Sequence, residues 1–135
     1  MFEAYNTTST TYATNQPVVF STTRYTDCRV RLNNNNTINI SAPGCYYVQF
    51  NAVGAASTAT SQITVQLYRN GAAVPGVVTS ATTTASTDPE TLTVSTIVNV
   101  LPSCAVINNS ASLQFLVTST DGVITSNNVV VFRLK

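Results

Sequence analysis

SQITVQLYRNGAAVPG, residues 61–76, decides the fold class. In its first half Ile63, Val65 and Leu67 fall on one side of an extended chain and Thr64, Gln66 and Tyr68 on the other. That alternation marks a strand with one buried face. Asn70-Gly71 follows at once. A two-residue hairpin turn needs positive φ at both central positions, which Asn and Gly tolerate, so the chain is expected to reverse there. Pro75-Gly76 then predicts a returning strand that is interrupted or at an edge, because proline has no N–H to give the ladder.

The same period of two extends in both directions. CRVRL (28–32) turns Cys28, Val30 and Leu32 one way and Arg29 and Arg31 the other, and TINIS (37–41) repeats it with Ile38 and Ile40. Between them Asn33 to Asn36 tolerate left-handed backbone, which predicts a hairpin loop. CYYVQFNAV (45–53) sends Tyr46, Val48, Phe50 and Ala52 to one face and Cys45, Tyr47, Gln49 and Asn51 to the other. TLTVSTIVNVL (91–101) groups Leu92, Val94, Val98 and Val100, with Ile97 and Leu101 opposite. SASLQFLVTS (110–119) groups Leu113, Phe115 and Val117, and Asp121-Gly122 predicts a tight turn. In the closing NNVVVFRLK (127–135), Val130, Phe132 and Leu134 are expected to share a face. No window sustains the i, i+3, i+4, i+7 apolar pattern of a helix.

Strand patterns separated by turn residues at roughly 8 to 12 positions predict one all-β domain over residues 1–135: a two-sheet antiparallel jelly-roll sandwich of about ten strands. Its expected core is Val30, Leu32, Ile38, Ile40, Tyr46, Val48, Phe50, Ile63, Val65, Leu67, Phe115 and Phe132. TSATTTASTDPE (79–90), without apolar anchors, is expected to be a surface loop.

Composition narrows the function. Charged residues make up 8% of the chain, against about 25% in ordinary domains, and Thr, Ser and Asn take their place. A net charge of +1 with no basic stripe argues against nucleic acid as a partner. MFEAYNTTSTTYATNQ (1–16) has neither the basic nor the apolar region of a secretory signal. No apolar run reaches the ~18 residues of a spanning helix, so no membrane insertion is expected and a surface location must come by assembly.

Catalytic and metal chemistry find few residues. Without histidine, Ser or Cys nucleophiles lack their usual base. Asp88 and Glu90 are the one close carboxylate pair, in a stretch that reads as solvated turn rather than a glycosidase dyad. The chain is therefore expected not to be an enzyme and to need no cofactor. Three cysteines without C-x-x-C spacing and without His argue against zinc. Cys28 reads as a buried free thiol, while a Cys45–Cys104 bridge and an intersubunit Ca²⁺ are left open. The sequons at Asn6, Asn35, Asn39 and Asn108 are those expected by chance in a chain rich in Asn and Thr.

Tyr47 and Tyr68, opposite the apolar faces of their strands, are either isolated surface residues or anchors of a subunit interface. The scarcity of charge favours the interface, where Tyr is enriched and charge depleted.

GCYYVQFNA, ITVQLYRNG and the closing VVVFRLK resemble the tumour-necrosis-factor-like jelly-roll superfamily. The likeness is strongest to complement globular heads and to the C-terminal domains of bacterial collagen-like spore-surface glycoproteins. The family pattern places Gly-x-Tyr-x-x-x-Phe after an Ala-Gly or Pro-Gly turn. Gly44, Tyr46 and Phe50 stand at those positions after Ala42-Pro43. The resemblance implies a ten-stranded, TNF-like sandwich that packs as a homotrimer, with Phe2, Tyr5, Tyr47 and Tyr68 as interface residues. The chain departs from the collagen-like members in lacking a Gly-X-Y stalk. Stalkless, charge-poor trimers of this kind also resemble the capsid decoration and head-fibre proteins of tailed bacteriophages. The expected role is thus a structural protein of a virion surface, made in the host cytoplasm and partnered by a larger assembly such as a capsid. The alternative is a carbohydrate- or receptor-binding head on a spore, a cell surface or a phage fibre tip, with a glycan as ligand.

Overall fold

A computed structural model describes residues 1–58, 61–84, 87–119 and 121–135. Short strands open the chain: β1 (Phe2–Asn6), β2 (Thr10–Tyr12), β3 (Gln16–Pro17) and β4 (Thr22–Tyr25). The hairpin β5 (Val30–Asn33) and β6 (Thr37–Ile40) follows. Longer strands complete it: β7 (Gly44–Ala56), β8 (Ser61–Arg69), β9 (Ala72–Thr83), β10 (Glu90–Val100), β11 (Ala111–Val117) and β12 (Gly122–Arg133).

Two antiparallel sheets face each other. The first, sheet A, runs β10-β7-β12-β1-β4 with β2 paired to β12, and the second, sheet B, runs β5-β6-β11-β8-β9 with β3 paired to β11. Asn34 and Asn35 turn the β5–β6 hairpin, and Asn70 (φ 52°) and Gly71 (φ 84°) turn β8 into β9, all at positive φ. β9 is an edge strand whose pairing with β8 is irregular between Gln66 and Tyr68, beside Pro75 and Gly76. The missing proline N–H is tolerated there because one side of an edge strand has no partner.

The core lies between the sheets and is aromatic at its centre. Phe50 of β7 stacks on Phe115 of β11 at 4.5 Å, and Phe20 meets Phe50 edge-on at 6.2 Å. Val30, Ile38, Ile40, Tyr46, Val48, Ile63, Val65 and Leu67 are buried as expected, and Leu32 packs against them half-buried. Tyr46 donates from its hydroxyl to the carbonyl of Ala42 at 2.7 Å, and burial raises its pKa above the ordinary 10.0. Gly44 is fixed by crowding. A Cβ there would lie 2.6 Å from Arg133 Nε and 2.7 Å from the Lys135 carbonyl, on a backbone at φ +148°.

Several expectations are corrected. Phe132 is 37% exposed, and Val129 and Val131 are buried instead. The β12 register slips between Ile124 and Ser126, and the terminal run is apolar on both faces, so alternation alone does not say which face turns inward. Cys28 is exposed, because the chain leaves sheet geometry before Val30, and all three thiols are unpaired. Thr79–Thr83 continue β9 rather than forming loop, with Thr83 buried and its hydroxyl accepting from the Ala56 N–H. Residues 85 and 86 of that expected loop lie outside the described residues. Asp121 and Gly122 lead from sheet B to sheet A, not round a hairpin.

Candidate subunit interface

Pairing register lays out the outer face of sheet A row by row. Ile97 of β10, Tyr47 of β7 and Phe132 of β12 stand side by side. The next row inward is Ser95, Gln49, Val130 and Glu3, and the one after it Thr93, Asn51, Asn128 and Tyr5. These side chains project outward because their neighbours Val48, Phe50, Val98 and Val131 point into the core.

The first row is apolar and open to solvent. Ile97 is 60% exposed and Phe132 37%, while the rings of Tyr47 and Phe132 lie 5.1 Å apart at 40°. Along β10, β7 and β12 this face carries no ionisable carboxylate, ammonium or guanidinium. Its amides satisfy one another: Asn51 Nδ2 donates to Asn128 Oδ1 at 3.1 Å, and Thr93 Oγ1 donates to Asn51 Oδ1 at 3.1 Å. Polar groups paired in this way lose little when water is removed. Charge begins only towards β4. There Glu3, itself buried, meets Arg24 at 2.7 Å, and the Arg24 guanidinium lies 4.6 Å above the Tyr5 ring.

Of the residues expected at a trimer contact, Tyr47 and Tyr5 share this face. Phe2 does not, being 1% exposed in the core, because β1 is an interior strand of sheet A whose Phe2 and Ala4 point inward. Tyr68 is on the outer face of sheet B, across the sandwich, since it alternates with the buried Leu67 there. Ile97, Val130 and Phe132 were missed as a group. Their signal was Ile97 standing opposite the core residues of its own strand, which only register could align with Tyr47.

A second feature is an open cleft of about 510 Å³ between the free edges of β4 and β5, lined by Thr23, Thr26, Asp27, Arg31 and Asn33 over Phe2 and Leu32. Asp27 is already engaged. Its Oδ1 accepts from the Arg29 N–H at 2.9 Å and from Arg29 Nη1 at 3.2 Å, and Oδ2 accepts from the Met1 amine at 3.2 Å. The backbone hydrogen bond first, then the amine, holds this carboxyl below its ordinary 3.8. Among the described residues no three His, Cys, Asp or Glu side chains gather as metal ligands.

This arrangement of two sheets has close structural parallels. The zebrafish complement 1qA globular domain matches at TM-score 0.70 over 99% of this chain and 96% of its own, with 11% identity. The chain has the TNF-like jelly-roll fold. The Eiger TNF of S. frugiperda shares it at TM-score 0.72 and 13% identity, over 99% of this chain and 93% of that one. The vertex protein P5 of the phage PRD1 shares it at TM-score 0.58 and 13% identity, over 99% and 96%. No family model and no curated sequence matches the chain, so the jelly-roll likeness is one of structure.

Proposed function

We propose that the chain is a non-enzymatic, homotrimeric jelly-roll module that builds a virion surface, as a capsid decoration, auxiliary or head-fibre protein. The observation that carries the reading is the β10-β7-β12 part of the outer face of sheet A, where Ile97, Tyr47, Phe132 and Val130 lie exposed or half-buried and no charged side chain stands among them. Large apolar side chains grouped on an uncharged face are what a copy of the same chain would cover. Threefold closure lets each copy offer the same patch without leaving it open. The shared fold with a phage vertex protein supports the virion setting. Light scattering tests the assembly: a mass three times 14.3 kDa is expected at micromolar concentration, and a mass of 14.3 kDa sinks the trimer.

The β4–β5 cleft favours a second reading, a glycan- or receptor-binding head. Hydroxyls of Thr23 and Thr26, the Asn33 amide and the Arg31 guanidinium line it, and these donors suit a hydroxyl-rich ligand. The two readings part in one experiment. Binding of the isolated protein to undecorated phage capsids supports the structural role, whereas binding to a glycan array with none to capsids supports the recognition head.

A further inference from the structure

The ends of the sandwich differ in charge. β7 runs from Gly44 at one end to Ala56 at the other, and strand register, backbone hydrogen bonds and neighbours in sequence place the charged residues towards one end or the other. Arg133 pairs beside Tyr46, the Lys135 carbonyl accepts from the Cys45 N–H, and Arg69 closes β8 beside Leu113. Arg29 and Arg31 stand where β5 begins, next to Ile40 and Asn39. These five cations share the Gly44 end with a single acid, Asp27, for a side-chain charge of +4. Glu3 and Arg24 pair with each other midway. Glu90 pairs beside Gly54, the Asp121 carbonyl accepts from the Ser57 N–H, and Asp88 accepts from Thr84 just past the end of β9, so these three acids fall at the Ala56 end, giving −3.

The Gly44 end also carries the most exposed large aliphatic side chains among the described residues. The loop of residues 101–110 joins β10 to β11 there and raises Val106, 96% exposed, and Ile107, 68% exposed. It is held in shape. Leu101 N–H donates to the Asn108 carbonyl at 2.7 Å, Ala105 N–H to Pro102 at 2.9 Å, and Asn109 Nδ2 to the Ala105 carbonyl at 3.1 Å. Arg69 Nη2 ties both feet, bonding the carbonyls of Asn99 at 2.9 Å and Ser110 at 3.4 Å. A loop ordered beforehand loses little conformational entropy when it binds.

We infer that the Gly44 end is a docking surface for an acidic protein that receives Val106 and Ile107 in an apolar pocket ringed by carboxylates. Charge complementarity selects an acidic partner and also orients it, because the Ala56 end repels the same surface. The side chains select protein over membrane. Two of the three exposed cations at this end, Arg31 and Arg133, are arginines, whose planar fork binds carboxylates bidentately and is enriched at protein interfaces where lysine is depleted. The loop tip is β-branched and lacks the Trp, Phe or Leu that anchors interfacial segments in lipid. This names the docking end of the surface protein proposed above and rests on that reading for its setting, while the polarity belongs to the single chain.

The test uses the full chain against three immobilised probes: poly-glutamate, a random Glu–Tyr copolymer and phosphatidylserine vesicles. The copolymer, acidic with apolar side chains, is expected to bind more tightly than poly-glutamate. Val106→Ser with Ile107→Ser should erase that difference and leave poly-glutamate binding unchanged. Arg31→Gln, Arg133→Gln and Lys135→Gln together should weaken both polymers about tenfold at low salt, from three exposed pairs. The pair Arg31→Gln and Lys135→Gln serves should the triple variant lose its fold by circular dichroism. Asp88→Asn, Glu90→Gln and Asp121→Asn should not weaken either. Equal binding to both polymers, indifference to the arginine changes, or tighter binding to vesicles than to polymer overturns the inference. Light scattering on the same samples separates the readings, since a monomer with the expected binding pattern removes the trimer and leaves the docking end.

Discussion

Replacing Ile97 with alanine tests the interface with little disturbance to the fold. In the single chain Ile97 is 60% exposed on the outer face of sheet A. Full burial of such a side chain contributes about 1.5–3 kcal/mol, which leaves about 1–2 kcal/mol for a neighbouring copy to supply. Three equivalent positions give about 3–5 kcal/mol per trimer, and alanine, which keeps Cβ, places the expected loss near the lower figure. At about 1.4 kcal/mol per decade the association constant falls roughly a hundredfold or more. Because that constant carries concentration squared, the dissociation midpoint rises by the square root, about tenfold. Sedimentation velocity over a dilution series reads the midpoint, and urea unfolding checks that the protomer is intact. Tyr68→Ala, on the outer face of sheet B, should leave the midpoint where it was. A midpoint unmoved by Ile97→Ala, or moved as far by Tyr68→Ala, refutes the assignment of this face.

Three further outcomes are expected. Phe50→Ala removes the ring between Phe20 and Phe115 and should cost about 3–5 kcal/mol, read as a lowered urea midpoint. Gly44→Ala drives a Cβ against Arg133 and the Lys135 carbonyl on a left-handed backbone and should cost about 1–3 kcal/mol, whereas Gly71→Ala, with open space around it, should cost less. Asp27 has a folded pKa below its ordinary 3.8, so its stabilising contribution is complete above that value and is lost as pH falls through the lowered one. Asp27→Asn should therefore lower Tm at neutral pH, and the gap to the unsubstituted protein should close in strong acid; a gap independent of pH contradicts the linkage.

Strand existence was legible wherever one face of a strand is wet. β5, β6, β7 and β8 alternate apolar with polar residues, and their buried positions follow from period two. Turns were legible for a different reason: Asn34, Asn35, Asn70 and Gly71 hold positive φ that few residues adopt. Legibility failed where both faces are apolar. Val129 to Phe132 offer no polar residue to mark the outside, and a bulge shifts the count. β1 escaped notice because Phe2 and Ala4 are too few to show a period, and its place beside β12 depends on residues at the far end of the chain. The interface face shares that origin, since Ile97, Tyr47 and Phe132 come from three strands scattered in sequence.

The pairing of β1 with β12 has a consequence for how the molecule is made. Phe2 finds its ladder partner in Val131, and β4 hangs on β1 in turn. β1 therefore waits for β12, more than a hundred residues later in the sequence, and sheet A closes only when residues up to Val131 have left the ribosome. Local hairpins such as β5–β6 and β8–β9 form earlier, so sheet B has its edges in place while β7 and β10 still present an unfinished sheet. Contacts of such long sequence separation make folding slow and expose strand edges meanwhile. Truncating the chain before β12 would thus leave β1 and β4 without a sheet, whatever the local preferences of their residues.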